Sequence, residues 1–98
     1  MNESTPVLEL RNLGPVCQAD LAAVGIKNFG DIKSLGVEQT FELVFGYRAS
    51  KGAIEGLSAV YLYALFGAIH DIDWRRIPAE AKAELKACFH RVTMQHQL

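Results

Sequence analysis

Apolar residues recur along this chain at intervals of three and four, and no segment alternates apolar with polar over the length of a strand. That period belongs to helices, so the chain reads as all-α. The spacing predicts a short helix over residues 6–11 and a second over 15–24, with Leu21 and Val24 turned inward and Asp20 turned to water. Gly25 suits the position just past a helix end, with Ile26 as the apolar residue that follows such a stop. Asn28 is placed to cap a third helix over 29–35, where Phe29, Ile32 and Leu35 share a face and Gly36 ends the run. A fourth helix over 37–46 carries Val37, Phe41, Val44 and Phe45 on one stripe and Glu38, Gln39 and Glu42 on the other side.

Residues 47–56 hold Ser50, Gly52 and Gly56 among charged residues and read as a loop. The fifth helix, 58–70, is apolar nearly all round, which places it at the centre of a bundle. Its inward stripe is Val60, Tyr61, Ala64, Leu65, Ala68 and Ile69, with Leu65 expected to be fully buried and Tyr63 or Phe66 nearer the surface. Asp73 suits the cap of a turn holding Trp74, and Pro78 opens a sixth helix that turns Ala81, Leu85, Cys88, Phe89 and Val92 inward. The expected fold is a compact all-α bundle of five to six helices in a single domain over 1–98, with residues 1–5 and 94–98 loose.

One short stretch departs from simple helix patterning. Leu10-Arg11-Asn12-Leu13-Gly14-Pro15 joins two helices by a very tight bend, with Leu10 and Leu13 as apolar anchors. Asn12 and Gly14 both tolerate left-handed backbone, and Gly14 is expected to adopt a conformation costly for any residue with a Cβ. The pattern is similar to the helix-hairpin-helix motif, which presents backbone N–H groups to nucleic-acid phosphate. Working copies often carry a cation just after the second glycine; here Val16 and Cys17 follow Gly14-Pro15, and Asn12 stands where the first glycine is usual.

Composition restrains that reading. Half of the 98 residues are hydrophobic and 21% charged, which is globular, but the formal net charge is −1. A dedicated DNA-binding domain ordinarily shows a basic excess. The two cysteines, Cys17 and Cys88, form no CxxC pair, and the polar, acidic start is unlike a signal peptide, so a cytoplasmic protein with reduced thiols is expected. The apolar run 57–69 is too short to span a bilayer.

Three blocks together carry a family resemblance. They are Leu10-Arg11-Asn12-Leu13-Gly14-Pro15 with Leu21 and Gly25-Ile26; the short helix ending Leu35-Gly36; and Leu57-Ser58 through Tyr63-Ala64-Leu65-Phe66-Gly67-Ala68, closing with Asp73-Trp74-Arg75-Arg76-Ile77-Pro78. Over residues 7–80 the chain resembles the C-terminal domain of the TfoX/Sxy family of bacterial competence regulators. The resemblance implies a helical fold opening with a helix-hairpin-helix-like unit, in a cytoplasmic bacterial protein linked to control of DNA-uptake genes. Competence regulators of the family usually add an N-terminal α/β domain, which this chain is expected to lack. The family attributes no catalytic residue to the domain.

The chemistry-bearing residues sort into two groups. Arg11, Asn12, Leu13, Gly14 and Lys27 could present the hairpin to nucleic acid, with Glu9, Asp20 and Asp31 opposing them. Tyr63, Phe66, Trp74 and Arg75 could meet a partner, because tryptophan and arginine are enriched where binding energy concentrates. His70, His90 and His96 are scattered, Cys88 and His90 point to different helix faces, and Arg48-Ala49-Ser50-Lys51-Gly52 lacks the spacing of a phosphate loop. No catalytic, metal or cofactor site, small-molecule substrate or membrane contact is expected. The leading expectation is a non-enzymatic regulatory or adaptor module whose partner is a protein, either transcription machinery or a second copy. The alternative is a weak, sequence-independent DNA binder using the Asn12–Gly14 hairpin.

Overall fold

A computed structural model describes residues 2–96 and contains, among them, four α-helices and two single 3-10 turns. The turn Val7–Glu9 leads into α1 (Pro15–Ala23), followed by α2 (Phe29–Ser50), α3 (Ala59–His70), the turn Trp74–Arg76, and α4 (Ala79–His96). The all-helical class is as read from the sequence, with fewer helices than the five to six expected. Residues 6–11 make only one 3-10 turn, because fixed extended backbone at Pro6 and Leu10 brackets it. The third and fourth predicted helices run together as α2, broken at Gly36, whose φ of 81° and ψ of 168° no helical residue adopts.

The helix ends follow local chemistry. Past α1, Gly25 takes a φ of 86°, and two backbone bonds close the end: Gly25 N–H to Ala22 C=O at 3.1 Å and Ile26 N–H to Leu21 C=O at 2.9 Å. At α2, Asn28 Oδ1 accepts the Asp31 N–H at 3.0 Å while Asp31 Oδ2 accepts the Asn28 N–H, a reciprocal cap. Ahead of α2, Thr5 C=O accepts the Phe29 N–H and Glu3 C=O the Gly30 N–H, both at 2.8 Å, and Val7 N–H donates to Lys27 C=O. The lead-in thus satisfies the free donors at the start of α2. At the other end α4 is helical through His96, and residues 97–98 of the expected loose tail, like Met1 of the lead-in, lie outside those described.

The core gathers around Phe41, fully buried, whose ring lies 5.9–6.0 Å from those of Phe45, Tyr61 and Phe89, so that α2, α3 and α4 meet on one side chain. α3 is central, packing against α2, α4 and the Trp74–Arg76 turn. Leu62 and Leu65 are both fully buried, while Val60, assigned to the inward stripe, is 45% exposed at the first turn. Tyr47–Ser50, read as loop, are helical, so α2 extends a full turn beyond the expected end and carries Arg48 towards α1.

The bend between the 3-10 turn and α1 also differs from expectation. Asn12 alone takes the left-handed conformation there, at φ 72°, while Gly14 is extended (φ −82°, ψ −179°) with nothing near the position of a Cβ. Gly14→Val is therefore expected to change stability by less than about 1 kcal/mol, since the residue needs no special backbone. Leu65→Ala, by contrast, should cost about 2–5 kcal/mol through the cavity it leaves. Urea denaturation of the two variants beside the parent checks both.

Candidate functional site: an aromatic and cationic corner

The site begins at Asn12, whose left-handed backbone aims its carboxamide at the far end of α3. Asn12 Nδ2 donates to the Ile72 carbonyl at 2.8 Å, and Asn12 Oδ1 accepts the Trp74 N–H at 3.4 Å. The amide lies directly over Gly67, where any Cβ would collide with it and with the Ile72 carbonyl. α3 itself ends at Asp71, in left-handed backbone at φ 55°, and Ile72 N–H turns back to Gly67 C=O at 2.9 Å. Asp and Asn are the side-chain-bearing residues that tolerate this region best. The two left-handed corners, Asn12 and Asp71, thus face each other, and Arg11 Nε approaches Asp71 Oδ1 at 3.4 Å.

This clasp brings the two predicted residue groups together in part. Trp74, half-buried, lies nearly parallel to Tyr63, with ring centroids 6.5 Å apart and planes at 17°. Lys82 of α4 stands 5.8 Å over the Tyr63 ring. Asp73 caps the Trp74–Arg76 turn through the Arg75 N–H at 2.9 Å and holds the Arg75 guanidinium by two bonds at 3.0 and 2.8 Å. Those bonds from Arg75 hold the Asp73 carboxyl well below the usual carboxylate range, so the pair is intact at every pH near neutrality. Arg76 is exposed and forms no ion pair among the described residues. Arg11, Asn12, Tyr63, Trp74 and Arg75 therefore meet at one corner.

The remaining predicted residues lie apart from it or have other roles. Leu13 is buried in the core. Gly14 is exposed and caps α1 without a side-chain bond. Lys27 sits at the start of α2, its N–H on Asp31 Oδ2 at 2.9 Å and its carbonyl on Val7. Phe66 is half-buried, its ring centroid 4.2 Å from that of His70, and it lines an open groove of about 210 Å³ between α2 and α4 with Val37, Leu85 and Cys88. Arg91 closes one wall of that groove by binding Glu38 at 2.7 Å and 2.9 Å.

A second polar constellation was not legible from the sequence. Asp20, expected to face water, is buried. Its Oδ2 accepts the Tyr61 hydroxyl at 2.9 Å and the Arg48 guanidinium at 3.4 Å, which ties α1 to α2 and α3. Arg48 also donates to the Glu55 carbonyl at 3.2 Å and so fixes the 51–58 connection. Burial, the neighbouring Cys17 and the bond to Asp20 push the Tyr61 phenol far above its ordinary value. Burial chiefly raises the Cys17 thiol too, against the Tyr61 hydrogen bond that lowers it. Cys88 is raised by burial and by Glu38. Both shifts lower the thiolate fraction at neutral pH. Among the described residues no group of three or more His, Cys, Asp or Glu side chains could hold a metal ion, and no helix is long and apolar enough to cross a membrane.

Comparison with known proteins places this geometry in a family. The model of the TfoX C-terminal domain matches residues 3–89. The crystal structure of an uncharacterized protein from Listeria monocytogenes superposes with a TM-score of 0.73 at 30% identity, covering 84% of this chain and 86% of that one. No curated protein matches.

Two outcomes follow from these contacts. Asn12→Gly keeps the left-handed backbone but removes the amide, leaving the part-buried Ile72 carbonyl unpaired. It should cost about 1–3 kcal/mol and shift Trp74 emission to the red. Because burial raises both thiols, the thiolate fraction at mildly alkaline pH is smaller than for a free cysteine. Reaction with a disulfide reagent at pH 8 should be slower in the native protein than in urea; equal rates in both would contradict the burial of Cys88 and the half-buried Cys17–Tyr61 contact.

Proposed function

The chain belongs to the TfoX C-terminal domain family, and on that premise we propose that it is a non-enzymatic regulatory or adaptor module acting through contact with another protein at the corner of Asn12, Tyr63, Trp74 and Arg75. The observation that carries this reading is the Tyr63–Trp74 stack. Two large aromatic rings lie half-buried beside the core rather than inside it, on a platform held rigid by the Asn12 clasp and the Asp73 cap. Rigid amphipathic rings flanked by arginine are the groups that dominate protein–protein affinity, because little side-chain entropy is lost when they dock. The setting that family membership suggests is the control of DNA-uptake genes in a bacterial cytoplasm, with transcription machinery or a second copy as the partner.

The hairpin supports a weaker second reading. Exposed Gly14 and the uncapped start of α1 offer backbone donors to an anion. Against it, the Asn12 amide is already bonded within the fold, and the Asp71 carboxylate stands 3.4 Å from Arg11, where it would repel a phosphate backbone. Duplex DNA should therefore bind at physiological salt no more tightly than the non-specific range of roughly 10⁻⁴–10⁻⁶ M. A titration giving nanomolar affinity would replace the protein-contact reading by this one. The protein contact itself is tested by placing a photo-crosslinking amino acid at Trp74 and, as reference, at Ser50 in living cells. Protein adducts specific to position 74 are expected; adducts to DNA alone, or none above the reference, would end the proposal.

A further inference from the structure

We infer that the partner segment taken by this corner is acidic: a short stretch of protein with carboxylates on either side of an apolar side chain. This rests on the reading of the corner as a protein-contact surface and names the chemistry of what it contacts. Lys82 stands 5.8 Å over the Tyr63 ring of the stack, Arg75 and the exposed Arg76 follow Trp74 in the same turn, and Arg11 lies against Asp71 at the end of α3, so four cations share this end of the fold with the carboxylates Asp71 and Asp73. The chain as a whole carries −1, so a local cationic excess of this kind is set against the charge of the rest of the molecule. Asp71 and Asp73 each engage one arginine, and those arginines stay 53% and 73% exposed. Arg76 has no ion pair among the described residues, and Lys82 reaches only the Tyr63 ring.

The mixture of charges distinguishes a carboxylate-bearing peptide from a polyphosphate. A duplex presents one charge about every 1.7 Å, so a nucleic acid laid across the corner would drive phosphates against Asp71 and Asp73 as well as onto the arginines. A peptide places its charges separately. Its carboxylates can take the planar donors of Arg75 and Arg76 and the ammonium of Lys82, while an apolar side chain between them rests on the stacked rings. Such complementarity governs partner choice and encounter rate and weakens with salt.

Trp74 is the one tryptophan of the chain, so its emission reports this corner directly. The full chain would be titrated with a capped peptide of glutamate and aspartate around a central Phe-Leu pair, with the same peptide carrying glutamine and asparagine instead, and with oligothymidylate. The acidic peptide should give a saturable change in Trp74 emission that weakens with added salt. Arg76→Glu, a surface change checked by circular dichroism to leave the fold intact, should lower its affinity about tenfold or more. Equal binding of the amide peptide would overturn the acidic assignment while leaving protein contact at the corner standing. Tighter binding of oligothymidylate would overturn it in favour of nucleic acid. If neither peptide moves Trp74 emission while position 74 still crosslinks to protein in cells, the acidic assignment fails alone; if the crosslink is also absent, both readings fall.

Discussion

One side-chain amide joins the beginning of this chain to its last connection. Asn12 bonds at once to a carbonyl and an N–H separated by two residues, at the point where α3 ends and the Trp74–Arg76 turn begins. Its two bonds span about sixty positions of sequence, so the contact closes the fold from end to end as well as shaping a surface. Two other residues have to comply: Gly67 must lack a Cβ, and Asp71 must accept left-handed backbone, as Asn12 itself does. The aromatic stack, the Asp73–Arg75 pair and the approach of Arg11 to Asp71 all hang on that arrangement.

The buried Asp20–Arg48–Tyr61 cluster works differently. A carboxylate withdrawn from water beside a guanidinium gains little net stability over a well-packed apolar trio, but removing one partner strands the other. Its contribution is to orientation, since only one rotation of α1 about its axis brings Asp20 to both partners. Phe41 supplies the apolar counterpart, touching three helices with one ring. A small helical bundle has many near-equivalent ways to bury leucines and few ways to satisfy these polar atoms together, so the polar contacts select among the apolar packings.

The helical class and several of its boundaries were legible because they depend on neighbours in sequence. The Asn28 cap, the Gly25 stop, the break at Gly36 and the Asp73 turn are written within four or five residues of where they act. What was not legible depends on distant partners. Asp20 reads as a solvated residue because Arg48 and Tyr61 lie 28 and 41 positions away. The same distance hid the last turn of α2, whose Arg48 belongs to α1's surroundings and not to a loop. At the bend, two residues could supply the left-handed backbone, and the choice of Asn12 over Gly14 was decided by a carbonyl sixty positions downstream. Of the candidate residues, the sequence separated Arg11 and Asn12 from Tyr63, Trp74 and Arg75, and the fold joins them.

The pinned lead-in bears on anything attached upstream. Glu3 and Thr5 give their carbonyls to the first donors of α2, and Pro6 lies antiparallel to Asn28. A peptide fused upstream would be joined to the domain through residues 3–7, which are bonded to the start of α2. Its freedom of swing would begin only beyond that anchor. The distance from the α2 cap to the Tyr63–Trp74 corner would then act as a ruler, setting how far a fused neighbour stands from that face of the domain.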